Sequence, residues 1–172
     1  MDRKTRDLTL SALFAALTVA ALYIASIWPT GQYGLVAFAS LFVAASVIET
    51  GAMRGMYVYV VSSVLVMLLL PDKSTALLFI LFFGYYPIVK NLIEKLKSKI
   101  AQWILKLLVF NVALTVILVF LKETLLGFRE RLPGVPVLYL LGNAVFALYD
   151  YGYSNVLRLY IDRISKITGN RG

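Results

Sequence analysis

The chain has 172 residues, 60% of them hydrophobic and 15% charged, with 17 basic against 9 acidic side chains. Soluble domains hold roughly 45–50% apolar residues; at a mean hydropathy of +0.83, too few charged groups remain to cover the apolar surface in water, and lipid is the solvent that fits. The absence of cysteine and histidine excludes disulfides, thiolate metal sites, cysteine nucleophiles and imidazole bases.

Taken in chain order, the first apolar run is 8–28, close to the ~20 helical residues that cross a hydrocarbon layer. Arg3, Lys4 and Arg6 before it resemble the start of a signal peptide. Pro29-Thr30-Gly31 is a poor cleavage site and further spans follow, so the segment is expected to be retained. A second run covers 35–48 and ends at the turn Glu49-Thr50-Gly51. The third is 53–70, bounded by Pro71-Asp72-Lys73.

The fourth run, 75–93, contains Pro87, which predicts a kink of the kind a helical bundle accommodates. Lys90, Lys95, Lys97 and Lys99 then surround a single acidic residue, Glu94. A fifth run covers 100–121. After the charged stretch Lys122 to Arg131 and the turn Pro133-Gly134, a sixth covers 135–159, with a short basic tail behind it. The fold class expected is an all-α membrane protein: a six-transmembrane-helix bundle in one integral domain, 1–172, without repeat or linker.

Charge placement supports that count. With the N-terminus inside, 13 of the 17 basic residues fall on the cytoplasmic side, and only Lys73, Lys122, Arg129 and Arg131 on the other. Six spans with both termini cytoplasmic therefore obey the positive-inside rule. A five-span reading would bury charges from Glu49–Arg54 or Asp72–Lys73 at mid-membrane. Because the positive residues lie between apolar runs, they read as topological charge rather than as a nucleic-acid surface.

Several features carry possible function. Ala12, Ala16 and Ala20 recur at four-residue spacing, giving one smooth face of the first helix that suits close helix packing. That packing lies either within the chain's own bundle or against a separate membrane subunit. In the sixth span Tyr139, Asn143, Phe146 and Asp150 share a stripe. A carboxylate within a span costs roughly 2.5–3.5 kcal/mol on insertion scales unless it is paired or wet, so Asp150 should face the bundle, with Lys106 its expected partner by depth. Such a pair either fixes register or handles substrate or protons.

Asn111 and Thr115 are i, i+4 neighbours on the fifth span. Asn111 either bonds a neighbouring helix, the commoner use, or joins Tyr139 and Asn143 in a polar, aromatic-rimmed cavity suited to a flat or amide-bearing small molecule. Gln32 and Tyr33, beside Trp28, are placed to cover it. Phe83 and Tyr86 are the ligand candidates among the aromatics of the fourth span. Glu49 and Arg54 bracket a turn as a local ion pair. No phosphate-cradling loop for ATP, no metal site, no cofactor site and no paired carboxylates for enzymatic acid–base chemistry are present in the sequence.

The opening Arg3-Lys4-Thr5-Arg6-Asp7-Leu8-Thr9-Leu10-Ser11-Ala12-Leu13-Phe14-Ala15-Ala16-Leu17 resembles that of the substrate-binding S-components of energy-coupling factor (ECF) transporters. These are six-span proteins of similar size with a basic start and an Ala-x-x-x-Ala first helix. The resemblance implies a cell-membrane protein, not itself an enzyme, that captures a small molecule such as a vitamin near the extracellular side. It implies that the loops after the first and third spans help to hold that molecule. It further implies that Ala12 and Ala16, extended by Ala20, dock on a transmembrane coupling subunit driven by two cytoplasmic ATPases. The nickel and cobalt members use histidine ligands that this chain lacks. Two other readings stand beside this one: a small multi-span scaffold of the rod-shape type, and an ion-coupled small transporter.

Overall fold

The computed structural model describes residues 3–28, 31–120 and 134–169. The elements among them are all helical: α1 (Arg3–Ile27), α2 (Gln32–Thr50), α3 (Ala52–Leu69), α4 (Lys73–Leu78), a π-helical segment (Phe79–Phe83), α5 (Tyr86–Ile93), α6 (Lys99–Phe120) and α7 (Val135–Gly169). Five stretches among the described residues are long and apolar enough to cross a membrane: Lys4–Ile27, Gln32–Thr50, Ala52–Leu69, Lys73–Ile93 and Lys99–Val119. This build is consistent with an integral membrane protein. The charged stretch Lys122 to Arg131, the turn residue Pro133 and Arg171 lie outside the described residues.

The chain divides into two units, Met1–Leu132 and Pro133–Gly172. In the first, α1, α2 and α3 pack on one another; α2 also meets α4, the π-helical segment and α5, and α6 joins through the latter two. The central position of α2 follows from its composition. Its buried positions include Val36, Ala39, Ser40, Val43, Ala44 and Val47, spaced by three and four so that they share a face. Ala and Ser among them let neighbouring backbones approach, as membrane helices require. The matching faces are Phe14, Thr18, Leu22 and Ala25 on α1 and Gly55, Val58, Ser62 and Val66 on α3.

One residue, Gly51, joins α2 to α3. Its N–H donates to Val47 O and its carbonyl accepts from Gly55 N, both at 3.0 Å. Its φ of +96° is a conformation that only glycine adopts without strain.

The fourth run is broken in the turn immediately ahead of the proline. Pro87 sits in the first turn of α5, where a missing N–H costs little because that donor has no intrahelical partner anyway. The irregularity lies upstream, in the wider turn over Phe79–Phe83 and the turn at Gly84–Tyr85. A Cβ on Gly84 would lie 2.6 Å from Tyr59 Cδ2 and 2.9 Å from Phe79 Cε1. Tyr59 Oη donates to Ile80 O at 2.9 Å, so an α3 side chain holds the wide turn against the bundle.

The second unit is described from Gly134 onward and is built on α7. The span expected over 135–159 lies on a helix that continues unbroken to Gly169. Its 35 residues span roughly 52 Å at 1.5 Å per residue, against ~30 Å for a hydrocarbon core. The part carrying Arg158, Asp162, Arg163 and Lys166 is too polar to lie in that core.

Candidate functional site

Three polar clusters and one exposed helix face are the chemically distinctive parts of the first unit. The first cluster joins the start of α2 to the start of α4. Asp72 caps α4: its carboxylate accepts from Ser74 N at 3.0 Å, Thr75 N at 3.1 Å and Thr75 Oγ1 at 2.5 Å. Gln32 Nε2 donates to the same carboxylate at 2.6 Å and also to Thr75 Oγ1. Burial acts to raise the Asp72 pKa, but the hydrogen bonds from Thr75, Ser74 and Gln32 outweigh it and hold the carboxyl below its ordinary value. Beside it Lys73 Nζ donates to Met67 O and Leu70 O, at 2.7 and 2.9 Å, closing the end of α3.

Glu94 is the centre of the second cluster. A single oxygen, Oε1, lies 2.7 Å from Lys90 Nζ and 2.8 Å from Lys106 Nζ, tying α5 to α6. Both lysines are buried, while Glu94 is 42% exposed. Desolvation acts to raise the Glu94 pKa; hydrogen bonds and charge from Lys106 and Lys90 prevail, and the carboxyl sits below its ordinary value. Lys106 Nζ also lies 5.7 Å from the centre of the Trp103 ring, within cation–π range.

At the end where α1 begins, buried Asp7 accepts from Arg54 Nη1, and Arg6 lies 4.0 Å from Glu49. The Glu49–Arg54 turn is thus part of a wider set of charges that includes α1. Asp7, Asp72, Thr75 and Glu94 are absent from the sequence-derived candidates. Asp72 preceding a helical run with Thr75 three residues on is a capping signal, and Lys90 with Glu94 has the i,i+4 spacing of an ion pair.

The predicted ligand residues of the first unit fall into three situations. Gln32 is half-buried in the Asp72–Thr75 cluster, whereas Tyr33 beside it is exposed. Phe83 and Tyr86 both stack on Phe82, at centroid distances of 5.1 and 5.0 Å, and Tyr86 is fully buried. Asn111 Nδ2 donates to Leu107 O, and Thr115 Oγ1 to Asn111 O, both at 2.7 Å. These are bonds back to their own helix, a common habit of polar side chains in helices. In the second unit Asn143 Nδ2 does the same to Tyr139 O at 2.8 Å. The stripe of Tyr139, Asn143, Phe146 and Asp150 lies on one unbroken helix, and Asp150 O accepts from Ser154 Oγ.

The alanine stripe is where spacing and structure meet. Ala12, Ala16 and Ala20 are all exposed, whereas Asp7, Phe14, Thr18, Leu22 and Ala25 are buried. At 100° per residue these two sets occupy opposite faces of α1. The small-residue face is therefore not the one that packs on α2 and α3. Compared with known proteins, the chain matches no family model, no curated protein and no solved structure.

Proposed function

We propose that this chain is the membrane-embedded substrate-binding subunit of an ECF-type importer. It would cross the membrane six times, with both termini in the cytoplasm and α7 as the last span. The observation that supports this reading best is the exposed stripe of Ala12, Ala16 and Ala20 on the face of α1 opposite its packing face. A lipid-facing helix gains nothing from a row of small residues, whereas a helix that docks closely on another gains contact area and backbone approach. The partner would be a transmembrane coupling subunit working with two cytoplasmic ATPases. The cargo would be a flat or amide-bearing small molecule of vitamin size.

The coupling claim is tested by co-purification and uptake. Ala12→Leu with Ala16→Leu should abolish capture of a coupling subunit while leaving the protein folded. An unaltered cellular function in that variant removes the claim. A second reading, a multi-span scaffold, draws on the full burial of Tyr86 and the engagement of Gln32 by Asp72 and Thr75, which favour a closed interior. Mass spectrometry of the purified protein separates the two readings: a retained metabolite supports the binding subunit, and none across candidate classes supports the scaffold.

A further inference from the structure

The connection between α5 and α6 is short, charged and held in place. Gln102 Nε2 on α6 donates to Leu96 O at 2.7 Å and Glu94 O at 3.3 Å, and Ala101 N donates to Ser98 Oγ at 3.4 Å. The Lys90–Glu94–Lys106 cluster fastens the same corner. The connection is thus tied to both helices it joins.

On this corner the chain carries five lysines, Lys90, Lys95, Lys97, Lys99 and Lys106, against one glutamate. Glu94 is already shared by Lys90 and Lys106. Lys95, Lys97 and Lys99 are exposed, and among the described residues their side chains make no ion pair. Their charge is consequently turned outward.

Apolar side chains border those lysines. Leu92, Ile100 and Trp103 are 53%, 74% and 45% exposed, at the last turn of one candidate span and the first turns of the next. A band of ammonium groups directly beyond a band of exposed apolar groups has the two-part chemistry of a phospholipid, an anionic head on acyl chains. Tryptophan at the boundary is the side chain that membrane interfaces favour. A soluble anion would use only the first band.

We propose that the α5–α6 corner is a docking site for anionic phospholipid, with Lys95, Lys97 and Lys99 on the headgroup phosphate and Leu92, Ile100 and Trp103 against the acyl chains. The proposal is independent of any transport role.

The full chain, exposed to mixed micelles of phosphatidylglycerol and phosphatidylcholine, is read by native mass spectrometry. Preferential retention of phosphatidylglycerol is expected. K95Q and K97Q should each weaken it about fivefold, the factor that one lysine contributes near an anionic surface, and K95Q/K97Q/K99Q should abolish the preference. All three positions are exposed, so the melting temperature should hold, and the single variants keep the test readable if it does not. Equal retention of the two lipids, or a preference that survives the triple variant, overturns the proposal. Displacement of the lipid by equimolar inorganic phosphate also overturns it, since the site would then be one for soluble anions.

Discussion

Gln32 Nε2 donates to Asp72 Oδ2 at 2.6 Å, so the first residue of α2 is bonded to the cap of α4 across forty positions of sequence. The bond closes the ends of two helices with one carboxylate. Removing that carboxylate with D72A takes away the cap, worth about 1 kcal/mol, and also the acceptor for Gln32. Q32A removes only the second. Thermal unfolding in detergent should therefore rank D72A below Q32A and both below the parent. Equal melting temperatures for D72A and parent would contradict this role.

The same cluster gives a pH dependence with a definite sign. Asp72 is held below its ordinary pKa in the folded protein, so its contribution is fully present above the unfolded value of about 3.9. It is lost as pH falls through the lower folded value. Glu94 is depressed in the same direction and behaves likewise from about 4.3 downward. Stability from these two groups should be flat through neutral pH and decline only in acid. D72N should remove part of the acid-dependent slope of the melting temperature; an identical slope in D72N and parent would refute the assignment.

Asp7 and Arg54 tie the start of α1 to α3. Asp7 is buried and Arg54 partly exposed, so the pair lies between a surface ion pair and a fully buried one. D7A should cost on the order of 1–3 kcal/mol. The double variant D7A/R54A should cost less than the sum of the singles, because it strands no charge. Additive losses in that cycle would mean that the two residues act separately.

The run lengths of the first five spans were legible because apolar runs and their breakers lie next to each other in the chain. The expected 35–48 and 53–70 became Gln32–Thr50 and Ala52–Leu69, with Gly51 at the joint. Pro87 signalled an interruption of the fourth run, which falls on the turn before it, but the π-helical form of that interruption and its contact with Tyr59 were not legible. The helix α7 runs on to Gly169 beyond the expected span 135–159, because hydropathy reports where a membrane ends, not where a helix does. Among site residues, the spacing of Ala12, Ala16 and Ala20 was visible, but the face they occupy became definite only with Asp7, Phe14, Thr18, Leu22 and Ala25 buried opposite. Gln32 was placed in a loop over a ligand because its partner, Asp72, is remote in sequence.

Glu94 offers a sharper test of local energetics. E94Q leaves Lys90 and Lys106, both buried, without the carboxylate they share. The loss should be on the order of 1.5–3 kcal/mol, the worth of hydrogen bonds to charged groups. Replacing either lysine alone leaves Glu94 one of its two partners and should cost less. An E94Q protein that melts with the parent would show that the two ammonium groups do not depend on Glu94.

Gly84 is the position at which the wide turn and α3 come closest. A Cβ there would lie 2.6 and 2.8 Å from two atoms of the Tyr59 ring, nearer than real Cβ contacts come. G84A must displace Tyr59, and with it the bond from Tyr59 Oη to Ile80 O. Overpacking of this kind costs about 1–3 kcal/mol. Y59F removes the bond alone and should cost less, near 1 kcal/mol. The Tyr59 ring is the nearer obstacle to the alanine methyl, with Phe79 Cε1 a second at 2.9 Å, so Y59A should relieve part of the clash. G84A introduced into Y59A should then cost less than the same substitution in the parent, without becoming silent, because Phe79 still stands in the way. A loss equal in both backgrounds would show that the approach of Tyr59 is not what requires glycine at this position.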